Sequence, residues 1–140
     1  MLSDFKIFLQ ALWSQLELPT PTRAQYAIAD YLQHGPKRLQ IQAFRGIGKS
    51  WITGAFVLWT LFKDPEKKIM IISASKERAD NMSIFLQKLI IETPWLVHLR
   101  PKSDDSRCLV SPLMLIVPLT KLLLLNQSVL LASLPVLVLI

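Results

Sequence analysis

The spacing of apolar residues at the start of the chain predicts a helix with one buried face. The apolar positions recur every three or four residues, as they do along one side of an α-helix; they are Phe5, Phe8, Leu9, Leu12, Trp13 and Leu16. Ser3 stands where an N-cap is expected. We expect Pro19 and Pro21 to end the helix, because proline lacks the amide hydrogen that a helix interior requires.

A second helix and a strand are predicted next. Thr22 is expected to cap a helix that runs to about Leu32, with Gly35-Pro36 closing it. Residues 38–44, "RLQIQAF", then alternate apolar and polar positions. A period of two is typical of a β-strand, so this segment is predicted to be one.

The remaining pattern predicts helix, strand and helix. The helices run from about Lys49 to Phe62 and from Lys76 to about Ile91. Between them, residues 69–75, "IMIISAS", form the short apolar run expected of a buried parallel strand. The inner side of the last helix is expected to carry Ala79, Met82, Ile84, Phe85 and Leu89. This order of elements predicts an α/β fold in which parallel strands, joined by right-handed crossovers, follow two helices.

Composition limits the classes of protein to consider. The 140 residues suit one domain, and 16 Lys and Arg against 10 Asp and Glu give a net charge of +6. That charge is compatible with a nucleic acid or an anionic surface as partner. Cys108 is the single cysteine, which excludes an internal disulfide and fits a reducing cytosol. The chain does not open with the pattern of a signal peptide, so we do not expect secretion.

The composition changes near residue 108. All ten acidic residues lie at or before Asp105, and Lys121 is the only charged residue after Arg107. Residues 109–140 consist mainly of Leu, Val and Ile. The sequence therefore predicts a folded part over 1–108 and an apolar tail over 109–140.

The segment "AFRGIGKS", residues 43–50, is a candidate phosphate-binding loop between the predicted strand and helix. Gly46 and Gly48 allow the backbone to turn and to approach phosphates without a side chain in the way. Lys49 would reach the β- and γ-phosphates, and the Ser50 hydroxyl would hold Mg²⁺. The general pattern has glycine where Ala43 stands. The expected cofactors are ATP and Mg²⁺, and the candidate residues of the loop are Ala43, Phe44, Arg45, Gly46, Ile47, Gly48, Lys49 and Ser50.

Arg45 has two interpretations at this stage. A guanidinium in the loop could stabilise charge on a transferring phosphoryl group, which would make Arg45 catalytic together with Lys49. The alternative is an arginine that faces solvent or DNA.

At these residues the chain resembles the large terminase subunit, of the DNA maturase B type, of short-tailed phages. "IQAFRGIGKSWITGAFVLWTLFKDP" and "IISASKERAD" are similar to the start of that family's ATPase, and the similarity runs from about residue 5 to 105. The family's loop reads A-x-R-G-x-G-K-S, so Ala43 fits it. "LPTPTRAQ", residues 18–25, is similar to the segment that places a glutamine against adenine. The resemblance thus implies that role for Gln25, against the alternative of an exposed helix residue.

The resemblance implies a P-loop NTPase that works as a motor. Family members use ATP to thread double-stranded DNA into an empty capsid in the host cytoplasm, as an oligomeric ring with the portal and the small terminase subunit. A second, nuclease domain cuts the concatemer. Lys76, Arg78 and Lys88 follow the second strand, where such motors link ATP to DNA movement. The alternative for each is a solvated helix face.

The tail departs from the family, whose members continue into a strand ending in two acidic residues, the Walker B motif. When residues 112–121 and 126–140 are back-translated and read one base out of register, they give stretches similar to the one preceding Walker B. We therefore expect a frameshifted tail on an incomplete P-loop ATPase domain that lacks the Walker B and nuclease residues and is inactive. After about residue 110 we expect poor order or opportunistic helix.

Two other functions stay open from the sequence. Residues 122–140 are nearly long enough to span a bilayer, which would make the chain a small membrane-anchored nucleotide-binding protein. Polar residues and a proline interrupt this stretch; they are Asn126, Gln127, Ser128, Ser133 and Pro135. The chain could also be another P-loop NTPase.

Overall fold

The computed structural model describes residues 2–67 and 69–99, together with the backbone alone of residues 114–118 and 136–139. The chain divides into two compact units, Met1–Lys63 and Asp64–Ile140. The predicted boundary near residue 108, Cys108, and most of the tail lie outside the described residues.

The first unit contains three helices: α1 (Phe5–Gln15), α2 (Arg23–His34) and α3 (Lys49–Lys63). The predicted apolar face of α1 is confirmed, since Phe5, Phe8, Leu9, Leu12 and Trp13 are buried. The N-cap is Asp4 rather than Ser3, and its side chain accepts a hydrogen bond from Lys6 N–H at 2.9 Å. α1 ends at Gln15, before either proline, because Glu17 turns into the left-handed region.

Aromatic rings pack α1 against α3 in the core of this unit. The ring of Phe5 meets Phe56 edge-on at 5.2 Å and Trp59 at 5.4 Å between centroids. The indole N–H of Trp59 donates to the Leu2 carbonyl at 3.1 Å. Pairs of this geometry contribute about 0.5–1.5 kcal/mol beyond the area that they bury. The helices are therefore held by their apolar faces, as the spacing predicts.

Segment 38–44 is not a strand, which corrects the prediction from its alternating pattern. Leu39, Ile41 and Ala43 are half-buried and the residues between them are exposed, so the period of two is present. No strand of the described chain pairs with the segment. The reason is that a strand requires a hydrogen-bonded neighbour, and alternation alone does not supply one.

The second unit is built on β1 (Ile69–Ser73), whose five residues are all buried. α4 (Lys76–Glu92) follows, with Ser75 as its N-cap, and a 3₁₀ helix spans Pro94–Leu99. The buried side of α4 consists of Ala79, Met82, Leu86, Leu89 and Ile90. The inward assignment of Ile84 is wrong, because its side chain is 61% exposed.

Two tail segments are strands, β2 (Met114–Pro118) and β3 (Val136–Leu139). Both pair with β1 in parallel, in the order β2-β1-β3, and Ile69 is aligned with Met114 on one side and Val136 on the other. The expectation of opportunistic helix is wrong for these nine positions. Their short apolar runs suit a buried parallel strand. The fold is thus a helix-rich α/β arrangement with parallel strands.

Among the described residues, none of the helices combines the length and the apolar character needed to cross a bilayer. Most of the tail segment considered as a span, 122–140, lies outside them.

Candidate functional site

The N-terminus of α2 carries a capping box formed by Thr22 and Gln25. The Thr22 hydroxyl accepts from Gln25 N–H at 3.4 Å, and Gln25 Oε1 accepts from Thr22 N–H at 2.8 Å. Each side chain thereby satisfies a backbone donor that the helix leaves without a partner. The spacing T-x-x-Q is the sequence signal for this motif, of which only the Thr22 cap was predicted.

The glycine loop turns directly into α3. Gly46 and Gly48 have φ of 94° and 84°, in the left-handed region that glycine enters without strain. Ile47, between them, is only 7% exposed. The helix begins at Lys49, and Ile52 N–H donates to the Gly48 carbonyl at 3.0 Å. Two positions without a side chain thus precede a helix whose first backbone N–H groups have no partner within the helix.

Lys49 folds back across the loop. Its Nζ donates to the carbonyl of Ala43 at 2.6 Å and to that of Phe44 at 2.9 Å. The ammonium group therefore lies over the backbone of the segment that leads into the loop. The structure thus brings together three of the predicted site residues, Lys49, Ala43 and Phe44.

Gln25 contacts the same loop from α2. Its Nε2 donates to the Ile47 carbonyl at 2.9 Å. A Cβ placed on Gly48 would lie 3.4 Å from that nitrogen, so the amide passes close over the glycine. The resemblance implies a contact of Gln25 with adenine, and the sequence carries no signal for this contact with the chain itself.

The other predicted residues are exposed. Arg45 and Ser50 lie at the surface of the loop, and Phe44 is 70% exposed. In the second unit, Lys76 and Arg78 are exposed in the first turn of α4. Lys88 Nζ lies 3.7 Å from Glu92 Oε1, which is an ordinary ion pair on a helix surface.

The chain is similar to a known protein over most of its length. No protein-family model matches the chain. Over 109 residues, 77% of the chain, the sequence is 50% identical to the terminase large subunit of Enterobacteria phage T3. The resemblance to terminase large subunits is confirmed. The chain spans 19% of the length of that terminase subunit.

The loop and the start of α3 together offer three features that suit an anionic ligand. In this terminase-like chain, Gly46 and Gly48 provide two backbone positions without a side chain, and the start of α3 provides amide donors together with the positive end of a helix dipole. Lys49 adds a positive charge within reach of the same backbone. Anionic oxygens are the ligands that suit these three features.

Proposed function

We propose that this chain is the N-terminal ATPase part of a phage terminase large subunit and that the loop at residues 43–50 binds the phosphates of ATP. The observation that carries the proposal is the pair of left-handed glycines, Gly46 and Gly48, directly before the helix that begins with Lys49. The similarity to the phage T3 terminase subunit supports it independently.

The backbone amides, Ser50 and Lys49 have different parts in the proposed site. The backbone amides from Phe44 to Ser50 bind phosphate oxygens, and the Ser50 hydroxyl holds Mg²⁺. Lys49 exchanges its hydrogen bonds to the carbonyls of Ala43 and Phe44 for bonds to phosphate oxygens, which carry a full charge and so attract an ammonium more strongly. ATP supplies the phosphoanhydride bond whose hydrolysis drives such motors.

Arg45 keeps two proposed roles, because an exposed guanidinium in the loop can serve either one. It either stabilises charge on the phosphoryl group or faces DNA. In the second unit, we propose Lys76 and Arg78 as the residues that link the ATPase to DNA, since both are exposed cations. Lys88 is a weaker candidate because it is paired with Glu92.

The proposal extends to the partners of the whole protein. In a full-length terminase, this part would act with double-stranded DNA, the portal and the small subunit, as a ring in the host cytoplasm. A frameshift that gives rise to the apolar tail remains part of the proposal. The DNA sequence across the junction near residue 108 tests it: one base change that restores a long open frame is the expected finding, and an intact frame without one contradicts it.

Nucleotide binding by the purified chain tests the site. We expect a fluorescent ATP analogue to bind the wild-type chain, and Lys49→Ala to weaken binding by about tenfold or more, because bonds to a charged group contribute about 1.5–3 kcal/mol. Lys37→Ala is the matched control, since it removes an exposed lysine from the same unit outside the loop. Equal affinity of the wild type and Lys49→Ala, or an equal loss with Lys37→Ala, would contradict the site.

A further inference from the structure

Gln25 joins the start of α2 to the loop through both ends of its side-chain amide. Oε1 accepts from the Thr22 N–H at 2.8 Å, and Nε2 donates to the Ile47 carbonyl at 2.9 Å. Each atom meets a partner of the opposite kind, which fixes the orientation of the amide. The bond to Ile47 crosses 22 positions of sequence, so the side chain bridges two separate segments.

The bridge sets the direction of one peptide group in the loop. The described chain contains no cis peptide bond, so the Ile47–Gly48 peptide is trans. In a planar trans peptide the C=O and the N–H point in opposite directions. With its carbonyl held toward Gln25, this peptide directs the Gly48 N–H away from Gln25.

The flanking residues explain why the peptide needs to be held. Gly46 and Gly48, at φ of 94° and 84°, are both glycines, for which many other backbone conformations are equally accessible. The buried Ile47 side chain fixes one point of the segment. It does not by itself fix the rotation of the peptide that follows.

We propose that Gln25 is a positioning residue, which holds the Ile47–Gly48 peptide in the orientation in which the loop receives phosphate. The proposal rests on the proposed phosphate-binding function of the loop. It gives Gln25 a role that does not depend on the base of the nucleotide. It therefore differs from the contact with adenine that the sequence resemblance implies.

Binding of three ligands separates the two roles. Gln25→Met keeps the length of the side chain and its lack of charge but removes both hydrogen bonds. We expect Gln25→Met to weaken the binding of ATP, GTP and inorganic tripolyphosphate by the same factor. The expected factor is about two- to tenfold, which corresponds to one ordinary hydrogen bond. A loss confined to ATP would overturn the proposal in favour of a contact with adenine.

Thr22→Ala is the matched control for the helix cap. It removes the 3.4 Å bond from Gln25 N–H to the Thr22 hydroxyl but leaves the Thr22 backbone N–H and the bridge to Ile47 intact. We expect the three affinities to stay unchanged. If Thr22→Ala weakened binding as much as Gln25→Met, the cap and not the bridge would be responsible, and the proposal would fail.

A second measurement uses no ligand. Gln25→Glu keeps the acceptor for Thr22 N–H but lacks the donor for the Ile47 carbonyl. We expect backbone ¹⁵N order parameters at Gly46, Ile47 and Gly48 to fall from about 0.85, typical of rigid backbone, toward about 0.6. Unchanged values would overturn the proposal. Because no nucleotide is present, this result stands apart from the Lys49→Ala comparison, which tests the proposed function.

Discussion

Glu17 adopts a backbone conformation that is costly for any residue with a side chain. Its φ is 54°, and it is the only non-glycine residue with positive φ in the described chain. Leu18 N–H donates to the Trp13 carbonyl at 3.0 Å, and Glu17 N–H donates to that of Ser14 at 3.3 Å. This is the Schellman arrangement that ends many helices, and its left-handed position is usually glycine.

We therefore expect Glu17→Gly to raise the free energy of unfolding. The left-handed conformation costs a residue with a Cβ about 1–2 kcal/mol, part of which is offset by the greater freedom of glycine in the unfolded chain. The expected net gain is about 1 kcal/mol, measured by urea unfolding followed by far-UV circular dichroism. Glu17→Ala is the control, since it removes the carboxylate but keeps the Cβ. If both variants were equally stable, the backbone strain would not be the cause.

At the same scale, the candidate site was predictable where it depends on local sequence. Gly46, Gly48 and Lys49 were named as candidates from their spacing alone, because glycine and lysine have specific uses in a phosphate loop. Gln25 was named for a different contact. Its bond to Ile47 joins residues far apart in sequence, and no local pattern encodes such a contact.

Among the elements, the helices were predicted better than the strands. Helical spacing depends on neighbours within one turn, so α1, α2 and α4 follow directly from the sequence. Ile84 was misassigned because it lies two residues from both Met82 and Leu86, which places it on the opposite side of α4. The strand prediction for residues 38–44 was wrong for another reason, since a strand depends on a partner elsewhere in the chain.

α1 and α2 are also joined by an ion pair, which gives this contact a pH dependence. Lys6 Nζ lies 2.6 Å from Asp30 Oδ1, and the same carboxylate lies 3.3 Å from His34 Nδ1. The hydrogen bond from Lys6 lowers the pKa of Asp30 below 3.8 and outweighs desolvation, which raises it. The same bond raises the pKa of Lys6 above 10.5.

The signs of these shifts predict where the pair stabilises the fold. The contribution of Asp30 is fully present above pH 3.8 and is lost as the pH falls through its lowered folded pKa. That of Lys6 is fully present below pH 10.5 and is lost as the pH rises through its raised folded pKa. We expect Asp30→Asn to lower the free energy of unfolding slightly at pH 7 and not at about pH 2. Urea unfolding at both pH values measures this.

A double-variant cycle is the control for this pair. If Lys6 and Asp30 interact, Lys6→Met lowers the free energy of unfolding less in the Asp30→Asn background than in the wild type. Additive losses at pH 7 would show that the two helices do not depend on the ion pair. Adding salt should reduce the coupling, because both groups are exposed.

At the scale of the whole molecule, the tail has two interpretations that predict opposite results. If residues 109–140 are a frameshifted tail, as proposed, they were not selected together with this core. The pairing of β2 and β3 with β1 covers both edges of a buried strand, and uncovered edges promote aggregation. The two effects oppose each other when the tail is removed.

We expect deletion of residues 111–140 to increase the soluble fraction of the expressed chain. The deleted segment contains the two strands that pair with β1, of five and four residues. It also carries only one charged residue, Lys121, among many leucines. An apolar segment of that length and low charge favours aggregation more than two short strand edges do. Soluble protein after centrifugation is the measurement, with circular dichroism to check the helices. Loss of the helical signal would show that the tail belongs to the fold.

We expect these 140 residues by themselves to release no phosphate from ATP at a useful rate. Phosphoryl transfer depends on positioning and on Mg²⁺, which P-loop enzymes hold with the loop hydroxyl and with an aspartate at the end of a second strand. Ser50 supplies the hydroxyl, but every acidic residue lies at or before Asp105, and none follows in β2 or β3. Binding requires less than this, so we expect Lys49 and the loop amides to retain nucleotide while turnover is absent. A phosphate-release assay compares the wild type with Lys49→Ala, which identifies any contaminating ATPase. Turnover that disappears in the variant would mean that the chain supplies the missing carboxylate from another position, with Asp104 and Asp105 the first to substitute.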